Sequence, residues 1–217
     1  MSIDIEKIIK AIKEAKEKSK ERNFNESVDI SINFKNLDLK KPENRINTEL
    51  VLPNPINKPI KICVIASGDL EVRAKNEGVD LVLSRSDLEK FVSDRKAAKK
   101  LAKQCDFFIA QIDLMPLVGR ALGPVLGPRG KMPKPVPPTA DIKSLIEQYR
   151  RTIRLRMRDN PVIHARVGTK DMEDEKIAEN IKAILDFLLE KLEKGMQNIK
   201  SIYVKTTMGP PVPIKLK

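Results

Sequence analysis

Pro53-Asn54-Pro55-Ile56-Asn57-Lys58-Pro59 places three prolines in seven residues. Proline fixes φ and removes a backbone donor, so this run holds neither a ladder nor a helix and reads as a linker. The sequence changes style across it. Before it, Ile5, Ile8, Ile9, Ile12 and Ala15 recur at helical spacing, which predicts an amphipathic helix over 3–22. Asn23-Phe24-Asn25-Glu26-Ser27 breaks that pattern. Val28, Ile30, Ile32 and Phe34 then alternate with Asp29, Ser31 and Asn33, as in a strand with one wet face. Pro42 and Asn44 mark a loop, and 48–52 reads as a second strand. After the linker, residues 60–66, 79–83 and 106–110 are nearly continuous apolar runs, the mark of strands covered on both faces. Helical stretches near 70–77 and 94–104 separate them, which implies a parallel sheet in an α/β layer.

A proline- and glycine-rich run over 119–138 and a short helix over 141–150 close this middle section. The alternating style then returns. Ile153, Leu155 and Met157 interleave with Arg154, Arg156 and Arg158, Asp159-Asn160-Pro161 signals a turn, and 162–167 makes a hairpin partner. Ile177, Ile181, Ile184, Leu185, Leu188 and Leu192 line one face of a helix over 173–194, which Gly195 is placed to end. Residues 201–205 form the last expected strand. A discontinuous domain of residues 1–55 and 152–217, carrying an inserted domain of residues 56–151, accounts for the two styles. Two chain crossings between them invite hinge motion.

The chain has 217 residues, 42 Lys plus Arg against 30 Asp plus Glu, and a net charge of +12. Charge of this size speaks of partners rather than fold: nucleic acid first, an acidic membrane surface second. Heat-adapted proteins also carry heavily charged surfaces, but these mix both signs and need not leave a large net excess. Residues 56–151 hold 18 basic and 11 acidic residues, the remainder 24 and 19, so the middle section is the more basic part. No apolar stretch reaches the roughly 18 residues of a membrane span. The lysine-rich N-terminus lacks the apolar core of a secretory signal, and a cytoplasmic protein is expected. Cys63 and Cys105 stand singly in short apolar runs, without the paired spacing of a zinc site, and read as small buried strand residues in a reducing compartment.

Catalysis finds little support. His164 is the one histidine and falls on an expected strand, and no glycine-flanked nucleophilic serine occurs. Gly119, Gly123, Gly127 and Gly130-Lys131 suggest a phosphate loop, but Val125 and Met132 occupy the positions where one needs glycine and a hydroxyl. Ala66-Ser67-Gly68-Asp69 after the first buried strand is not a dinucleotide loop either, which disfavours a Rossmann-type nucleotide enzyme. Two runs remain. In Gly127-Pro128-Arg129-Gly130-Lys131-Met132-Pro133-Lys134-Pro135, stiff prolines and close-approach glycines carry cations that face something acidic or simply solvent; residue chemistry leaves both open. In Thr206-Thr207-Met208-Gly209-Pro210-Pro211, hydroxyls, a thioether and a bare backbone suit phosphate and ribose. A strand-ending turn with a buried methionine is the simpler reading of the same residues.

Thr206-Thr207-Met208-Gly209-Pro210 resembles the signature of the family of large-subunit ribosomal protein number one. Leu122-Gly123-Pro124-Val125-Leu126-Gly127-Pro128-Arg129-Gly130-Lys131-Met132-Pro133 is similar to that family's other hallmark. Asn23 to Val28 matches its entry into the first strand, and Ile163-His164-Ala165-Arg166-Val167-Gly168 its hairpin. The likeness runs from about residue 3 to 215, in order, and its compact form resembles the archaeal type.

The resemblance implies a two-domain α/β (α+β) protein, not an enzyme and without cofactor or metal. One domain is a discontinuous split β-α-β sandwich; the other is an inserted Rossmann-like three-layer domain, and the two hinge open and closed. It implies a cytoplasmic, ribosome-associated protein, monomeric when free and without a membrane partner. Its partners would be large-subunit rRNA at the mobile side stalk, tRNA at the exit site, whose deacylated form it helps release, and its own mRNA, which it represses. By position, Thr206, Thr207, Met208 and Gly209 match the family's central RNA contact, Phe24 an aromatic beside it and Ser27 a nearby hydroxyl. His164 and Gly168 fall on the neighbouring hairpin, and Asn23 stands where many bacterial members carry lysine. Arg129, Gly130 and Lys131 belong to an auxiliary loop of the inserted domain.

Overall fold

The computed structural model describes residues 4–39, 41, 44–57, 59–157 and 159–215. The expected start of the first helix at residue 3, Pro42 in the expected loop, Lys58 of the linker and Arg158 of the third alternating run lie outside them. The chain divides into two compact units, residues 1–58 with 151–217, and residues 59–150.

The first unit is built on alternation. Strand β1 (Ser27–Phe34) turns Val28, Ile30, Ile32 and Phe34 inward and leaves Asp29, Ser31 and Asn33 half-exposed. It lies between β8 (Val162–Thr169) and β9 (Ile199–Thr206), antiparallel to both, and β10 (Val212–Ile214) closes the far edge in the order β10-β9-β1-β8. Strands β8 and β9 are therefore parallel to each other and joined by helix α8 (Asp174–Lys191), which makes a split β-α-β unit with β1 threaded through it. Helix α1 (Ile5–Glu17) buries Ile8, Ala11, Ile12 and Ala15 at i, i+3, i+4, i+7 spacing; α8 buries Ile177, Ile181, Ile184, Leu185 and Leu188. Both helices pack with the inner sheet residues into one core, so the outer sheet face stays open.

A two-stranded ribbon of β2 (Asn47–Val51) and β7 (Thr152–Arg156) completes this unit, with Arg154 paired to Glu49 at 3.1 Å. The expected hairpin of β7 with β8 is not formed. β7 takes β2 as its partner and β8 takes β1, so pairing spans more than a hundred residues on both sides of the insertion. The chain leaves and returns side by side, Leu52 N donating to Arg151 O at 2.8 Å. The linker's start is pinned by the fully buried Asn180, whose amide donates to Asn54 O and Val167 O and accepts from Asn54 N. Gly195 does not end α8. The helix stops at Lys191, Leu192 turns extended, and Gly195 enters a following 3-10 turn at φ 48°.

The second unit is a parallel sheet, β4-β3-β5-β6, formed by β3 (Ile62–Ile65), β4 (Leu81–Leu83), β5 (Phe107–Gln111) and β6 (Lys134–Val136). Every residue of β3 and β5 is buried, as continuous apolar runs require. Ile62, Val64, Phe107 and Ile109 meet α2 (Asp69–Asn76) and α7 (Ile142–Arg150). Cys63, Ile65, Phe108 and Ala110 face a second layer, made by α3 (Arg85–Ser93), α4 (Arg95–Gln104), α5 (Met115–Ala121) and α6 (Gly123–Leu126). The result is three layers.

Three expectations change here. Helix α3 was not anticipated, although Ser84 and Asp87 form a reciprocal capping box at its start. The run over 119–138 is not one loop. It contains the last three residues of α5, all of α6 and the edge strand β6; Pro116 and Pro124 stand in the first turns of their helices, where a missing amide costs nothing. Cys105 is buried as expected, but at the end of α4 rather than in a strand.

Candidate nucleic-acid interface

The end of β9 is organised by one buried carboxylate. Strand pairing of β1 with β9 brings Val28 opposite Thr206, and the ladder continues one residue further as Thr207 N donates to Ser27 O at 2.9 Å. Gly209 N then donates to Thr206 O at 3.1 Å and closes a four-residue turn. Met208 N, at the tip, points back into the protein and donates to Glu26 Oε1 at 3.0 Å. Glu26 is 1% exposed; its other oxygen accepts from Ser19 Oγ at 2.5 Å, and Arg22 Nε lies 3.7 Å away. The Ser19 hydroxyl, the Met208 amide and the nearby cations Arg22 and Lys170 hold this carboxyl below the usual carboxylate range, against the opposing effect of burial. Glu26 thus clamps the α1–β1 loop to the β9–β10 turn.

The clamp presents apolar groups outward. Met208 is 59% exposed and Phe24 57%, the two most exposed of the large hydrophobic side chains among the described residues. Phe24 stands two residues before Glu26, and Met208 is held by Glu26, so one anchor serves both. The buried-methionine reading is therefore overturned: the amide is the buried end and the thioether is free. Gly209 has a local reason to be glycine, because a Cβ there would collide with Thr206 Oγ1 and lie 3.5 Å from Ser19 Cβ.

Next to the turn, the open sheet face forms a shallow depression lined by Asp29, Ser31, His164, Arg166, Tyr203, Lys205, Thr207 and Pro211. Register explains the grouping: Asp29 sits opposite Lys205 on one side and Arg166 on the other, and Ser31 sits between Tyr203 and His164. His164 is exposed on this face. Thr207 Oγ1 donates to Ser27 O at 3.2 Å, with Asp29 Oδ2 at 3.5 Å, which leaves its lone pairs toward solvent. The aromatic, cationic and hydroxyl groups of this face suit RNA, which is read through stacking, phosphates and 2′-OH groups.

Of the residues singled out in the sequence, Phe24, Thr207, Met208, Gly209 and His164 come together on this side of the unit. Ser27, Thr206 and Gly168 do not reach its surface. Ser27 is buried and contributes its carbonyl to Thr207. Thr206 is fully buried, its Oγ1 without a hydrogen-bond partner, and it contributes the carbonyl that closes the turn. Gly168 is buried because a Cβ there would press on Ile177 Cγ1 at 2.8 Å and Met172 Sδ at 3.2 Å; it lets α8 approach β8. Arg129, Gly130 and Lys131 lie in the other unit. There Lys131 Nζ donates to Ala102 O and Cys105 O, Arg129 donates to Lys99 O, and Gly130 takes φ 67°. The loop's cations are thus turned onto the carbonyls of α4. Glu26, Asp29, Arg166, Tyr203 and Lys205 went unremarked as site residues. Period-two alternation along β1, β8 and β9 would have put all but Glu26 on the open face.

Comparison with known proteins follows from this geometry. The ribosomal protein L1p/L10e family matches residues 8–210, a span that includes Phe24, Glu26 and the whole turn through Gly209. This chain belongs to the ribosomal protein L1p/L10e family. The similarity to individual members is nearly end to end. The large ribosomal subunit protein uL1 of Methanothermobacter thermautotrophicus is 55% identical over 95% of this chain and 98% of its own length. That of Pyrococcus horikoshii is 50% identical over 99% and 98%. That of Archaeoglobus fulgidus is 48% identical over 98% and 99%. All three organisms are archaea. L1p/L10e proteins are ribosomal components rather than enzymes. No described helix is long and apolar enough to cross a membrane.

Proposed function

We propose that this L1p/L10e protein is a cytoplasmic, ribosome-bound constituent of the large subunit that binds the rRNA of the mobile side stalk beside the tRNA exit site. It assists release of deacylated tRNA there, and represses translation of its own mRNA by binding a similar RNA structure with the same face. One observation carries the reading. A methionine and an aromatic stand exposed on a turn and a loop that a single buried carboxylate holds rigid. Exposing both has a cost in water that a folded ribose-phosphate chain pressed against them would offset. The name borne by the archaeal relatives, large ribosomal subunit protein, accords with it.

In this reading Thr207 accepts from a ribose 2′-OH, Met208 fits a ribose or base face, and Gly209 admits a backbone at close range. Phe24 stacks on an unpaired base. His164 is a neighbouring contact on the open face, with Lys205 and Arg166 supplying phosphate attraction. Met208→Asp should weaken binding to a side-stalk rRNA fragment by about 1–3 kcal/mol while leaving the melting temperature in place. Unchanged affinity in that variant would overturn the assignment. For the repressor role, the free protein should protect a segment of its own message, and stalk rRNA should compete that protection away.

A further inference from the structure

A dense run of charge without an ion-pair partner among the described ones lies on α4 of the inserted unit. Its sequence, Arg95-Lys96-Ala97-Ala98-Lys99-Lys100-Leu101-Ala102-Lys103-Gln104, holds five cations and no acid. At about 100° per residue these cations fall within one arc about 140° wide, opposite the buried Ala98, Leu101 and Ala102. All five are exposed. The neighbouring helices behave otherwise: Arg73 and Lys75 of α2 pair with Asp69 and Glu71, and Arg85 and Lys90 of α3 with Glu89 and Asp87. Among the described ion pairs none involves a cation of α4. Arg95 and Lys99, Lys96 and Lys100, and Lys99 and Lys103 repel one another at i, i+4, and Arg95 and Lys96 oppose the dipole at the helix start. The glycine-proline loop adds to this charge, with the Arg129 guanidinium docked on Lys99 O at 3.3 Å. A helix that keeps such repulsion without internal partners is fitted to an external anion.

We propose that the exposed face of α4 is a second RNA-contacting surface that grips the phosphate backbone of an RNA duplex without regard to sequence. Cations three and four residues apart are about 5–6 Å from one another. Paired nucleic acid is densely charged, with about one phosphate per 1.7 Å of axis in B-form DNA and a comparable spacing in paired RNA, so a helix of this length meets several at once. The face has no aromatic side chain, so it lacks the stacking platform by which single strands are held. Its apolar positions are spent inside the unit, so it has nothing to insert into an anionic membrane. The inference rests on the preceding section only in taking RNA as the partner; the surface and the unit are different.

The test uses the full chain, with Lys96→Gln/Lys99→Gln/Lys100→Gln/Lys103→Gln introduced together, since glutamine keeps helix propensity. Binding to a side-stalk rRNA fragment and to a plain paired RNA of about 20 base pairs is followed against salt. Four lost phosphate contacts should flatten the slope of log K against log salt by about 3 on both RNAs, with the circular dichroism unchanged. Removing the paired cations of the same unit, Lys75→Gln/Lys90→Gln, should move the slope far less. An unaltered slope in the quadruple variant, an equal drop in the control pair, or binding only to phosphatidylglycerol vesicles would each overturn the proposal. The two interfaces fail separately. A flattened slope alongside a Met208→Asp protein that still holds the stalk fragment sinks the first surface and leaves this one standing, and the opposite pattern sinks this one alone.

Discussion

Two runs punctuated by glycine and proline look alike in sequence and end in opposite roles. The run over 206–211 turns its backbone inward, onto Glu26 and Ser27, and its side chains outward. The run over 127–135 does the reverse. Its lysine reaches back to the carbonyls that end α4 and its arginine to Lys99 O in the same helix, and its backbone bends at Gly130. Composition therefore says that a segment is stiff and can approach something closely. What it approaches is decided by which orphan groups lie within reach: a buried acid in one unit, a helix C-terminus in the other.

The contrast is most exposed to failure at Glu26. Glu26→Ala leaves Met208 N and Ser19 Oγ without their acceptor, and should cost about 2–4 kcal/mol of stability in urea unfolding along with most affinity for stalk RNA. Normal stability in that variant would mean that the turn organises itself. Lys131→Met tests the other run. Losing two charge-assisted bonds to the end of α4 should lower stability by about 1.5–3 kcal/mol, yet leave affinity for the stalk fragment almost as it was. A large loss of affinity there would bring the loop into direct RNA contact. Gly209→Ala should displace the turn and weaken RNA binding about tenfold, and Thr206→Ala in the same chain should restore much of it by removing the colliding hydroxyl. Additive losses would deny that the two residues touch. The mildest effect is in pH. The Glu26 carboxyl is depressed in the folded protein, so its stabilisation is present above its unfolded pKa and fades as pH falls through the folded one. The stability gap between the parent and Glu26→Gln, measured in urea at successive pH values, should therefore narrow only in acid.

Alternation made β1 legible, because Val28, Ile30, Ile32 and Phe34 must share a face whatever strand lies beside them. The same rule could not choose partners. β7 and β8 are adjacent and both alternate, but pairing is fixed by the whole sheet, and β1 and β2 are what those strands meet. The buried strands of the inserted unit were readable from apolar runs alone. Helix α3 is marked in the sequence by Ser84 and Asp87, whose spacing is that of a capping box, a signal that the helices expected over 70–77 and 94–104 leave out. At the interface, exposure of Met208 followed from a bond made by Glu26, an acid in a polar loop that no local pattern marks as buried. Ser27, Thr206 and Gly168 lie beside the candidate contact residues in sequence, while the strand pleat and the packing of α8 turn them inward.

The threading of β1 between β8 and β9 has a consequence for the order of events during synthesis. β1 emerges early from the translating ribosome, but both of its hydrogen-bonding neighbours are encoded after the insertion. Until β9 has cleared the exit tunnel, Glu26 has no Met208 amide to hold. Under the proposed function, a nascent chain lacks the Glu26-anchored turn for nearly the whole of its own translation, and completes that interface in one late step.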